Sequence, residues 1–146
     1  MTKQFYITIF LLLITMTNCY KSNYIDTVSQ SIENFLSKDS LSYKYVVLIP
    51  NSGCSGCISN AENFYLENIN NSDIKFIFTY IASKKNLYLK LNRELLSKNN
   101  VYIDIKNDFH FKDFKESIYP IAFFIENGQV VSTASVDNLA AKISNY

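Results

Sequence analysis

Tryptophan is absent from this 146-residue chain, histidine occurs once and cysteine three times. One histidine excludes a helical pair of metal-binding histidines. No serine–histidine–aspartate arrangement and no phosphate-cradling glycine loop appears either. Charge is scarce and balanced: charged residues make up 18% of the chain and the formal net charge is +1. No basic surface therefore argues for nucleic acid. Repeats, linkers and low-complexity tracts are missing as well. What remains is 48% hydrophobic, the content of a globular chain, at a length that suits one domain with a real core. The heavy use of Asn, Ile, Lys, Tyr and Phe is a compositional bias rather than chemistry.

The apolar run FYITIFLLLITM at 5–16 follows Lys3. It falls short of the roughly 20 residues of a bilayer-crossing helix and has the length and flanks of a signal-peptide core. The TNCY that follows resembles the bacterial lipobox, in which cleavage leaves the cysteine first and acyl chains are attached to it. Asn18 stands where that pattern prefers Gly, Ala or Ser. The expectation is a lipoprotein signal peptide at 1–18, lipid on Cys19 and a mature domain at 19–146; an ordinary secretory signal is the alternative. Either places the domain outside the cytoplasm. Only Cys54 and Cys57 then remain as thiols, in a compartment that tolerates disulfides.

Apolar residues at Ile25, Val28, Ile32 and Phe35 predict a helix over 24–36. YKYVVLIP at 43–50 is continuous and apolar, as a central strand buried on both faces would be. Ile58, Ala61, Tyr65 and Ile69 predict a helix from 54 or 55 to 68. A strand is predicted at 73–82, then a helix with Ser83 as N-cap, Tyr88, Leu91 and Leu95 on one face, and Asn99–Asn100 as its stop. A third strand is expected at 101–105 and a short helix or turn at 109–116. Two strands joined by Asn127-Gly128 read as a hairpin, because both residues accept the positive φ of a type I′ turn. Val136, Leu139, Ala140 and Ile143 mark a last helix. Strands alternating with helices require an α/β fold with a central mixed sheet, helices on both faces and a C-terminal antiparallel hairpin.

The chemistry-bearing stretch is LIPNSGCSGCISN at 48–60. Cys54 and Cys57 are three apart at a strand-to-helix junction, so in a first helical turn they share a face and reach disulfide distance. Unpaired N–H groups and the helix dipole favour a thiolate at Cys54. Cys57, one turn deeper, is expected to be more shielded and suited to resolving a mixed disulfide. Gly53 and Gly56 leave room for a partner backbone. A static crosslink over so short a loop would gain little entropy. Closed zinc and iron–sulfur sites need four ligands. A Cu(I) site using Cys54, Cys57 and His110 stays open, since soft thiolates suit that ion. Asp104 and Asp108 read as groups that cap and solvate a strand end.

Strand, C-x-x-C, helix and then a proline opening a strand that leads into a hairpin resemble the thioredoxin superfamily. The signal or lipid anchor, the extra N-terminal helix and the strand–helix insert are most similar to its TlpA-like extracytoplasmic thiol–disulfide oxidoreductases. The resemblance implies a thioredoxin-like fold, a redox pair in Cys54 and Cys57, and a cis-proline at Pro120 that, with Tyr119 before it, presents backbone to the substrate. It implies no diffusible cofactor. The partners would be protein thiols or disulfides, a redox partner that recharges the pair, and a bacterial membrane reached through Cys19, on the periplasmic side. The chain differs from the family in having Gly53 where Trp is common, Ser55-Gly56 between the cysteines, and no acid in the strand leading to them. The last difference keeps a non-catalytic binding module with the same fold as an alternative, beside the copper-binding chaperone.

Overall fold

A computed structural model describes residues 23–39, 42–81, 83–109 and 111–144. Its elements, in chain order, are α1 (Tyr24–Leu36), β1 (Tyr45–Pro50), α2 (Ser55–Asn68), β2 (Ile74–Thr79), α3 (Lys84–Leu91), a 3₁₀ turn (Leu95–Ser97), β3 (Val101–Ile103), a second 3₁₀ turn (Lys115–Ile118), β4 (Ile121–Glu126), β5 (Gln129–Ala134) and α4 (Val136–Ser144). The sheet order is β3-β2-β1-β4-β5. β1, β2 and β3 are parallel, and β4 and β5 run antiparallel to their neighbours. The fold is α/β, with a five-stranded mixed sheet flanked by helices.

Pairing explains which helix covers which face. From β1 to β2 to β3 the chain steps the same way twice. Right-handed crossovers then put both connecting helices on one side, and α2 and α3 do share one. Ala61, Phe64, Tyr65, Leu87 and Leu91 pack there with Val47, Ile49, Phe76 and Phe78, joined by Val136 and Leu139 of α4. α1 covers the other face: Tyr24, Val28, Ile32 and Leu36 meet Val46, Leu48, Ile77, Phe123 and Phe109. Each fully buried aliphatic side chain is worth roughly 1.5–3 kcal/mol. β1 is buried along nearly its whole length, because alternate residues serve two cores.

Local signals set several boundaries. Asn23 caps α1, its Oδ1 accepting from the Asp26 N–H at 2.9 Å, and Ser83 caps α3 through the Asn86 N–H. Asn127 and Gly128 carry φ of +53° and +79°, as the hairpin required. Three expectations are corrected. α3 ends at Leu91, since Asn92 turns to φ +63° and sends Leu95 into a separate 3₁₀ turn. β3 stops at Ile103, because the next residue, Asp104, is fully buried and accepts the N–H groups of Asp108 and Phe109. It caps this loop but does not solvate it. The turn expected at 109–116 forms at Lys115–Ile118.

The end of the sheet opposite the C-terminal end of β1 holds a buried cation. Lys75 donates to Asp39 at 2.9 Å, to the Tyr43 hydroxyl at 3.3 Å and to the Asn99 carbonyl at 3.1 Å. Its ammonium also lies over the rings of Phe35 and Tyr43. All three of its protons find acceptors, which is the condition for burying a lysine.

Candidate functional site

Central strand β1 ends at Pro50, and α2 begins after four intervening residues, at Ser55. That short loop is held at three points. The Asn51 N–H donates to the Thr79 carbonyl at 2.8 Å, extending the β1–β2 pairing. The Cys54 N–H donates to the Ile118 carbonyl at 3.4 Å, and the Cys54 carbonyl accepts the first helical bond, from Ile58 at 2.9 Å. Cys54 is thus the N-cap of α2, with extended φ and ψ and no side chain closing the helix end. The first turn of α2 holds no acidic residue, so no carboxylate there opposes a negative charge on sulfur.

Cys54 and Cys57 are joined as a disulfide, their Cα atoms 5.4 Å apart. Both are partly buried. Gly53 turns at φ +139°, and a β-carbon there would lie 2.5 Å from the Ile118 oxygen. At Gly53 this chain's own backbone makes a close approach. A β-carbon on Gly56 would meet nothing within 4 Å.

Ile118 thus lies beside the dithiol loop, and Tyr119 and Pro120 follow it in the chain, but the peptide geometry differs from what the resemblance implied. No cis peptide bond occurs among the described residues, so the Tyr119–Pro120 bond is trans, against the expected cis-proline. The chain reversal is made by the 3₁₀ turn instead. The Tyr119 N–H closes that turn onto the Glu116 carbonyl at 3.1 Å. Tyr119 then adopts the extended conformation favoured before proline and leads straight into β4. With the turn already closed, the ordinary trans preference of about 0.5–1 kcal/mol is unopposed. Ile118 and Tyr119 are 40% and 51% exposed, so an apolar rim borders the disulfide.

Next to that rim lies a groove of about 500 Å³ between the N-terminal end of α1 and the Glu116–Ile121 segment. Tyr24 lines it and is nine-tenths buried, its hydroxyl without a hydrogen-bond partner. Burial, then Tyr80 and then Glu116 raise the Tyr24 pKa well above the usual phenol range. No sequence signal marks this groove, because it is assembled from segments almost 100 residues apart.

Cys19 and His110 fall outside the described residues, and with them the lipid-anchor expectation and the third copper ligand. Among the described residues no cluster of three or more His, Cys, Asp or Glu side chains could hold a metal ion, and no helix is long and apolar enough to cross a membrane. Glu62 is a buried acid on α2, engaged by Lys90. Comparison with protein-family models, curated proteins and solved structures finds no match to this chain.

Proposed function

We propose that this chain is a thiol–disulfide oxidoreductase with a thioredoxin-like fold, working outside the cytoplasm and tethered to a membrane through lipid on Cys19. The observation that carries the reading is the Cys54–Cys57 disulfide at the N-cap and first turn of a helix that follows the central strand. The mixed sheet, with α2 and α4 on one face and α1 on the other, fits that fold.

In the reduced protein, the Cys54 thiolate attacks one sulfur of a substrate disulfide. A mixed disulfide forms and one substrate thiolate leaves. The Cys57 thiolate then attacks the Cys54 sulfur, releasing the second substrate thiolate. Two electrons pass to the substrate, two protons come from solvent, and the protein is left as the disulfide seen here. A dithiol or disulfide redox partner must reset it, and the reverse sequence would oxidise a substrate dithiol. Tyr119 and Pro120, which follow the Ile118 that bonds to Cys54, would meet the substrate chain. From Cys19 to Asn23 is four residues, at most about 14 Å of extended chain, so a lipid on Cys19 would hold the α1 end of the domain close to the bilayer.

Reduction of insulin by dithiothreitol, with and without this protein, tests the reading. The wild type should accelerate it, and Cys54→Ser and Cys57→Ser should not. An inactive wild type would favour the non-catalytic binding module, for which the lack of any acid in β1 speaks.

A further inference from the structure

We infer that the outer face of α3 docks on the surface of an anionic phospholipid bilayer. The segment 83–98, SKKNLYLKLNRELLSK, carries five of the chain's 14 Lys and Arg side chains and one of its 13 acidic ones. The remainder is net acidic, nine basic side chains against twelve acidic, so positive charge is concentrated here. Lys84, Lys85, Lys90 and Arg93 are all exposed. Glu62 neutralises Lys90. Among the described residues no carboxylate pairs with Lys84, Lys85 or Arg93, and the residues outside the described ranges carry no Asp or Glu side chain. Lys84 and Arg93 gather instead on the Tyr88 ring, 5.4 Å and 5.8 Å from its centroid.

Apolar surface points the same way. Leu87 and Leu91 are buried in the core, and at about 3.6 residues per turn position 89 falls opposite them. Leu89 is 77% exposed there, the most of any large hydrophobic side chain among the described residues. Lys85, one turn before it, shares that face. A single exposed leucine needs no explanation by itself. Set among cations it makes an interfacial helix, whose basic side chains meet lipid phosphates while the apolar one enters the headgroup boundary. An acidic protein fits less well, since protein–protein interfaces are depleted in lysine. Lys84 and Lys85 follow β2 by five and six residues. They therefore open α3 at the end of the sheet that holds the dithiol loop, where Asn51 bonds to Thr79, and docking would bring that loop near the bilayer.

The inference goes beyond the proposed function, needing a membrane within reach but none of the dithiol chemistry. The chain has no tryptophan, so Leu89→Trp in the full-length oxidised protein gives a single reporter on this face. It is mixed with vesicles bearing brominated acyl chains, either pure phosphatidylcholine or equimolar phosphatidylcholine and phosphatidylglycerol. With the anionic vesicles the emission should shift to the blue and be quenched; with the neutral ones it should not. Raised salt should reverse the effect, and adding Lys84→Glu with Lys85→Glu should weaken it by roughly tenfold or more. Val131→Trp, on the β5 edge and half exposed, serves as the control and should stay unquenched. Equal quenching with both vesicle types, equal quenching at both positions, or no response to the charge reversals would overturn the inference. Binding of polyglutamate without quenching by anionic vesicles would make the face a docking site for an acidic protein and overturn the lipid assignment. The substituted positions on α3 are exposed, and circular dichroism will show that the variants are folded. Insulin reduction reports separately on the dithiol, so vesicle docking in a protein inactive on insulin would keep this face and remove the enzyme.

Discussion

The carbonyl of Ile118 occupies the space where residue 53 would carry its first side-chain atom, so Gly53 and Ile118 form a backbone-to-backbone contact beneath the disulfide. Gly53→Ala meets both this contact and a φ of +139°. It should destabilise the protein by roughly 2 kcal/mol or more and displace the Cys54 N–H from its acceptor. Gly56→Ala, in a helical turn with open space around it, should instead stabilise by about 0.5–1 kcal/mol. Urea unfolding of the two oxidised variants checks the contrast, and equal effects would count against the contact.

At the other end of the sheet, Lys75→Ala removes the ion pair with partly buried Asp39 and three hydrogen bonds, the one to Asp39 among them. The expected loss is roughly 3 kcal/mol, as for other broken buried pairs. Lys75→Met, which keeps most of the buried aliphatic stem, should cost less. Chemical denaturation measures both, and an alanine variant as stable as wild type would contradict the cage.

Tyr65 is fully buried, T-stacked on Phe76 and Phe78, with a hydroxyl that has no partner. Removing it in Tyr65→Phe should stabilise the fold by about 1–2 kcal/mol. Burial pushes the Tyr65 pKa up to about 12, so between pH 10 and 12 the unfolded chain loses a proton that the native state keeps. Stability is then full below pH 10 and falls as pH rises towards 12, by on the order of 2–3 kcal/mol from this group. Tyr24 shifts in the same direction. Thermal melts from pH 8 to 12 should show a shallower decline in Tyr65→Phe than in wild type.

Once the disulfide is reduced, Cys54 at the N-cap should be the more nucleophilic sulfur. Limiting iodoacetamide at pH 6.5, followed by mass spectrometry, should label Cys54 several-fold faster than Cys57. Equal labelling would remove the helix-end activation on which the proposed mechanism depends.

Much of the scaffold was legible because its signals are local. The 24–36 periodicity, the continuous apolar β1, the capping Ser83 and the Asn127-Gly128 turn each act within a few residues, and all hold in the structure. The early end of α3 had a faint signal in Asn92, a residue that tolerates positive φ. The burial of Lys75 had none, because its acceptors come from positions 24 to 36 residues away.

The site divides along the same line. The order of residues alone placed two cysteines three apart at a strand-to-helix junction, because hydrophobic periodicity and helix geometry operate over one or two turns. Only tertiary packing decided that Gly53 must lack a β-carbon, that Tyr119–Pro120 is trans behind a closed 3₁₀ turn, and that Asp26 and Glu116 line one groove. Those relations join segments distant in the chain, and contact between such segments is set by how the sheet is crossed and covered rather than by any local pattern.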